Sequence, residues 1–109
     1  MSGPSGTGGS FEPPPIVVIK LKGGEYDIAR RDELAAELKP GGSAQTVILD
    51  FADVTFADST ALGCLMNLRK QMAEHHPNPV IRVMAVSPTL YRLFDITGMT
   101  KIFDIVPVE

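Results

Sequence analysis

Apolar positions along the chain fall into short β-branched runs, separated by stretches in which they return every three or four residues. Ile16-Val17-Val18-Ile19-Lys20-Leu21, Thr46-Val47-Ile48-Leu49-Asp50-Phe51 and Val80-Ile81-Arg82-Val83-Met84-Ala85-Val86 predict three strands. Ile102 to Val106 predicts a last one. Lys22-Gly23-Gly24 marks a bulge or turn after the first strand, and Glu25-Tyr26-Asp27 continues as a short extended piece. Ala52 to Ala57 reads as a short link.

Helical spacing fills the gaps. A first helix is expected from about Ile28 to Leu38, capped by Asp27. Ile28, Leu34, Ala35 and Leu38 form its buried face, with Arg30, Asp32, Glu33 and Glu37 toward solvent. Pro40-Gly41-Gly42 ends it. A second helix is expected from about Ser59 to His75, with Leu62, Leu65, Met66, Leu68 and Met72 as its stripe, stopped by Pro77 and Pro79. Ser87 and Pro88 are a cap and first-turn proline for a third helix, whose buried side is Leu90, Leu93 and Phe94. Gly98 suits the left-handed position that closes it. Strands alternating with helices imply crossover connections and an α/β sheet with helices packed upon it.

Residues 1–15 share none of this periodicity. They hold four Gly, four Pro and three Ser, and are expected to be a mobile tail ahead of a domain at 16–109. The Gly-rich pattern in the tail is not a phosphate loop, because no strand precedes it and no helix follows it. Among the 109 residues, 44% are hydrophobic and 21% charged, which excludes a wholly disordered chain. Net charge is −3, with no basic stripe to neutralise phosphates, so neither nucleic acid nor a polybasic membrane anchor is expected. The longest apolar run is far short of the ~20 residues that cross a bilayer. A single cysteine and no signal peptide point to a reducing cytoplasmic setting.

The informative stretch runs from Val47 to Gly63: a buried strand, a tight link, then a helix opening on Asp58-Ser59-Thr60. The first four backbone N–H groups of a helix lack intrahelical partners, and the dipole is positive there. A hydroxyl in that first turn is well placed to carry an anion such as phosphate. Ala61 and Gly63 are small, so a partner could approach the turn closely.

Asp58-Ser59-Thr60-Ala61-Leu62-Gly63 resembles the Asp-Ser-Ser/Thr-Gly-Leu-Gly signature of the STAS family, the sulphate transporter and anti-sigma-factor antagonist domains. Gly24-Glu25-Tyr26-Asp27 resembles the family's Gly-Glu-hydrophobic-Asp, and Val86 to Met99 resembles its later helix and closing glycine. Lys101-Ile102-Phe103 resembles the strand that follows. The resemblance implies a four- to five-stranded mixed sheet with about three helices packed mainly on one face. It also implies an anti-sigma-factor antagonist that binds an anti-sigma factor acting as a serine-protein kinase. Ser59 then matches the phosphorylated serine, Thr60 is a second candidate, and Asp27 and Asp58 match positions near that site. With Ala61 and Gly63 these form the expected partner surface. ATP would belong to the kinase, so no cofactor is expected in this chain.

Two departures are visible. Ala61 stands where the family has glycine, and the chain stops at Glu109, where family members often add a helix. Apolar surface exposed there is expected to favour a homodimer. Other readings are a STAS subunit of a sensory assembly, with other STAS domains as partners, and a soluble accessory subunit of a membrane transport system. No catalytic constellation is found. His75 and His76 are neighbours that point apart on a helix, with no third metal ligand. Cys64 reads as a small, partly buried thiol, and Met66, Met72 and Met84 as core filler.

Overall fold

Residues 15–108 are described by a computed structural model, and in it every strand pairs with one that is not its neighbour in sequence, save the last two. β1 (Ile16–Lys20), β3 (Thr46–Asp50), β5 (Val80–Val86) and β6 (Asp104–Pro107) form a four-stranded sheet in the order β1-β3-β5-β6. β2 (Gly24–Tyr26) and β4 (Val54–Ala57) form a separate two-stranded ladder. The helices are α1 (Arg31–Leu38), α2 (Ser59–Ala73) and α3 (Pro88–Ile96). The expected α/β fold is therefore present. The sheet itself is parallel in every ladder among the described residues, rather than mixed. Crossovers return the chain to the same end of the sheet each time, which makes neighbouring strands parallel. The expected mobile tail lies almost wholly outside the described residues.

Alternation along the strands decides which face is the core. In β3, Val47 and Leu49 are fully buried, while Ile48 between them is only half-buried. Ile81 and Val83 of β5 follow the same phase. Leu34 and Leu38 of α1, Leu65, Leu68 and Met72 of α2, and Leu90 and Phe94 of α3 complete the cluster. The Phe51 and Phe94 rings meet at 6.1 Å between centroids with a 54° tilt, a favourable aromatic geometry. The helices thus lie on one face. The other face leaves Ile16, Val18 and Val80 exposed, and the register carries Val18 across Ile48 to Arg82 and Asp104. Arg82 Nε donates to Asp104 Oδ2 at 2.6 Å on that face.

Three local readings are corrected. Ala52–Ala57 is not all link, because Val54–Ala57 is β4, with Val54 and Ala57 buried. The first helix begins as a single 3₁₀ turn over Ile28–Arg30 and becomes α-helical only at Arg31. A 3₁₀ turn advances three residues rather than 3.6, so the face expected from a continuous α-helix is rotated at its start. Ile28 is consequently 76% exposed, and Ala35 is exposed as well. Met66 is exposed, whereas Met72 is buried as expected and Met84 is half-buried. The caps hold as read: Ser87 Oγ accepts from Leu90 N at 3.3 Å, and Gly98 has φ +76°.

Gly23 ties β1 to β2. Its φ is +95°, and a Cβ built there would lie 2.3 Å from the carbonyl oxygen of Asp53. That oxygen accepts from Gly24 N at 2.8 Å, so the turn is pinned against the β3–β4 connection. Gly23→Ala meets both an unfavourable φ and a backbone clash. The expected outcome is a loss of at least about 1–3 kcal/mol in urea unfolding; an unchanged midpoint would show that the turn relaxes freely.

Candidate functional site

The two-stranded ladder positions the candidate residues. Tyr26 of β2 is in register with Ala57 of β4, so the strands end side by side and each runs directly into a capping aspartate. Asp27 Oδ1 accepts from Ala29 N at 3.0 Å and starts the 3₁₀ turn. Asp58 Oδ1 accepts from Thr60 N at 2.8 Å and starts α2. Asp58 N also donates to the Tyr26 carbonyl at 3.4 Å, joining the two caps through the backbone. The structure thus gathers Asp27, Asp58, Ser59 and Thr60 at the C-terminal ends of parallel strands, where ligand crevices of α/β folds commonly form.

Exposure separates the candidates. Ser59 is exposed at the first position of α2, and Thr60 is half-buried beside it. Gly63, one turn on, faces open space, with nothing within 4 Å of where its Cβ would be. Ala61 is 4% exposed, and its methyl group packs into the core. The reading of Ala61 as a contact residue is corrected on that ground, since small size matters to a partner only on the outward side. Phe56 and Ile28 are exposed on the chain segments flanking the two caps.

A latch that sequence reasoning missed holds this corner. The Tyr26 hydroxyl accepts from Gly23 N at 3.1 Å and donates to Glu37 Oε2 at 2.7 Å. Glu37 Oε1 accepts from Lys22 N at 2.8 Å. The Arg30 guanidinium lies 4.2 Å over the Tyr26 ring and donates to the carbonyls of Gly23 at 2.7 Å and Glu25 at 3.1 Å. Arg30 also pairs with Glu33, and that hydrogen bond holds the Glu33 carboxyl below the usual range. Burial, followed by the hydrogen bond to Glu37, raises the Tyr26 phenol above its ordinary value. The only sequence signal was an aromatic in an otherwise polar turn.

Between α1 and α2 lies a cavity of about 400 Å³, lined by Ile28, Arg31, Thr60, Gly63 and Cys64 among others. Burial pushes the Cys64 thiol up, and its Sγ lies 3.9 Å from the Arg31 carbonyl. His75 and His76 lie beyond the far end of α2, where His76 Nε2 is 3.0 Å from the Ser43 carbonyl. Among the described residues no three His, Cys, Asp or Glu side chains cluster to hold a metal. Nor is any helix long and apolar enough to cross a membrane.

The family model of the STAS domain matches residues 12–109. The anti-sigma-B factor antagonist of Staphylococcus epidermidis is 33% identical over 85 residues, covering 76% of this chain and 77% of that protein. Among solved structures, an anti-sigma factor antagonist from Mycobacterium paratuberculosis superposes with a TM-score of 0.71 at 22% identity, over 86% of this chain and 79% of that one. A sulfate transporter family protein from Wolinella succinogenes superposes with a TM-score of 0.66 at 16% identity, over 86% and 78%. The two structural likenesses concern the fold.

Two outcomes are expected from this geometry. Tyr26→Phe removes the hydroxyl from a buried three-way contact and costs about 1–2 kcal/mol. Because the fold favours the neutral phenol, its contribution is complete below the unfolded value of about 10 and is lost as pH rises past it. Wild type should therefore lose stability more steeply than Tyr26→Phe in alkaline unfolding scans, and parallel curves would remove Tyr26 from the latch. Gly63→Ala adds a methyl group in open space and should raise stability by up to about 1 kcal/mol through helix propensity. A fall in its thermal midpoint would show that this glycine serves the fold.

Proposed function

The chain belongs to the STAS domain family, and on that premise we propose that it is an anti-sigma-factor antagonist switched by phosphorylation of Ser59. Its partner is an anti-sigma factor that is also a serine-protein kinase and supplies the ATP site. The unphosphorylated chain binds this partner through the corner made by Asp27, Asp58, Ser59, Thr60 and Gly63, and so regulates sigma-factor-dependent transcription. The observation that carries the reading is the exposed Ser59 hydroxyl at the first position of a 15-residue helix. Residues 16–109 are taken as the domain that carries this activity.

The arrangement supports a switch that acts at the contact surface. A phosphoryl group adds about −1.5 to −2 charges at neutral pH. The α2 dipole offsets part of this, by about 0.3–1 kcal/mol at an exposed helix end. Asp58 opposes it through like charge, so the fold itself gains or loses little. The interface is affected more strongly. An unpaired charge forced into a protein contact costs roughly 3–5 kcal/mol, which is about 10²–10⁴ in affinity.

A second reading is the accessory subunit of a transport system, in which Ser59 is only a structural residue at the helix start beside the Asp58 cap. Intact mass after incubation with ATP and the candidate anti-sigma kinase separates the two. One phosphate is expected on wild type and none on Ser59→Ala. A gain in both moves the switch to Thr60 or elsewhere, and no gain with any candidate kinase favours the transport reading. Ser59→Glu is expected to weaken kinase binding by about 10²–10⁴, while Ser59→Ala leaves it close to wild type.

A further inference from the structure

The charged residues that line the hollows on the two flanks of α2 are cations, with the Asp27 and Asp58 carboxylates beside Ile28 and Thr60 at one end. One of about 320 Å³, between α1 and α2, is lined by Leu38, Lys39 and Leu68, and it shares Ala35 and Cys64 with the cavity that reaches Arg31 and Thr60. The two form one groove with an apolar floor. On the outer flank, Arg69 and Lys70 line a third hollow that shares Gly63 and Asn67 with the second. The charged residues lining all three are Arg31, Lys39, Arg69 and Lys70, every one a cation, in a chain whose net charge is −3. Among the described residues, Lys39, Arg69 and Lys70 pair with no carboxylate. Arg69 Nε is buried without an acceptor. Arg31 has Asp32 at 3.7 Å, but both side chains are largely in solvent and hold each other weakly.

We propose that this face docks an acidic amphipathic helix of a protein partner, with its apolar side in the groove and its carboxylates on the flanking cations. The apolar floor argues against a small inorganic anion, and the net negative charge argues against nucleic acid. Ile28, 76% exposed at the groove's end, supplies an apolar anchor. Ala35 and Gly63 let a backbone approach closely. The inference rests on the reading that the partner contacts α2. It gives that switch a sign: phosphate on Ser59, next to Thr60 in the groove wall, repels incoming carboxylates.

Two synthetic helical peptides of about 18 residues test it, with identical leucine faces and either Glu or Lys on the polar face. Each is titrated into isotope-labelled full chain and followed by amide shifts and fluorescence anisotropy. The Glu peptide is expected to shift Ile28, Arg31, Gly63 and Asn67, and to bind at least about tenfold more tightly than the Lys peptide. The double variant Arg31→Glu, Lys70→Glu, with its remaining spectrum unchanged, is expected to weaken it by about tenfold or more. No binding of the Glu peptide, equal binding of both, shifts confined to the open sheet face, or displacement by an oligothymidylate would each overturn the proposal. Phosphorylation takes no part in these titrations. Equal Glu-peptide binding by wild type and Ser59→Glu would uphold the groove and count against the Ser59 switch.

Discussion

Burial of Leu65, Leu68 and Met72 against the β3–β5 sheet fixes the rotation of α2, and thereby decides which of its residues meet solvent. With that stripe inward, Ser59, Gly63, Met66, Asn67 and Lys70 fall on the outer surface. A helix rotated by one residue, about 100°, would bury the serine and expose a leucine. Any chemistry at the start of α2 therefore depends on packing three turns away. The same constraint explains why Ala61 belongs to the core while Gly63, two residues on, faces open space.

Rotation alone does not place the helix start beside anything. That is achieved by the short β2–β4 ladder, which ends both strands at neighbouring capping aspartates. Three strand residues make a weak ladder on their own. Its support comes from side chains, with Tyr26 bonded to Gly23 and Glu37 and with Arg30 bonded across the turn. These bonds bridge β2 to α1, so the Asp27 cap is held from both sides. The corner thus combines a hydrogen-bonded backbone frame with an exposed serine at its rim.

Most of the frame was legible in the sequence. The β-branched runs beginning at Ile16, Thr46 and Val80 declared three strands because β-branched side chains fit a pleated surface and turn residues bound each run. Asp58 and Ser87 declared helix starts because a side-chain cap is a local interaction. β4 was not legible, since four residues without clear alternation gain their meaning from a partner strand about thirty residues away. Ile28 was misplaced because a 3₁₀ turn breaks the 3.6-residue period on which its assignment relied. The Tyr26–Glu37–Arg30 latch and the cations lining the hollows around α2 were hidden for a common reason. Both depend on which surfaces of separate elements come together, and no window along the chain contains that.

The order of the strands has a consequence for how the chain reaches this state. Ile16 of β1 must wait for Thr46, and Thr46 for Val80, before their ladder bonds can form. Among the described residues no ladder closes through a tight hairpin, so the sheet has no cheap local nucleus there from which to zip. On a translating ribosome, β1 emerges before β3, about thirty residues behind it, can emerge to pair with it, and Val17 and Ile19 are uncovered meanwhile. The interval between the two is a property of the topology and is not shortened by strengthening any single contact. Vectorial synthesis therefore sets the period over which this nascent chain must be kept from other unpaired strands.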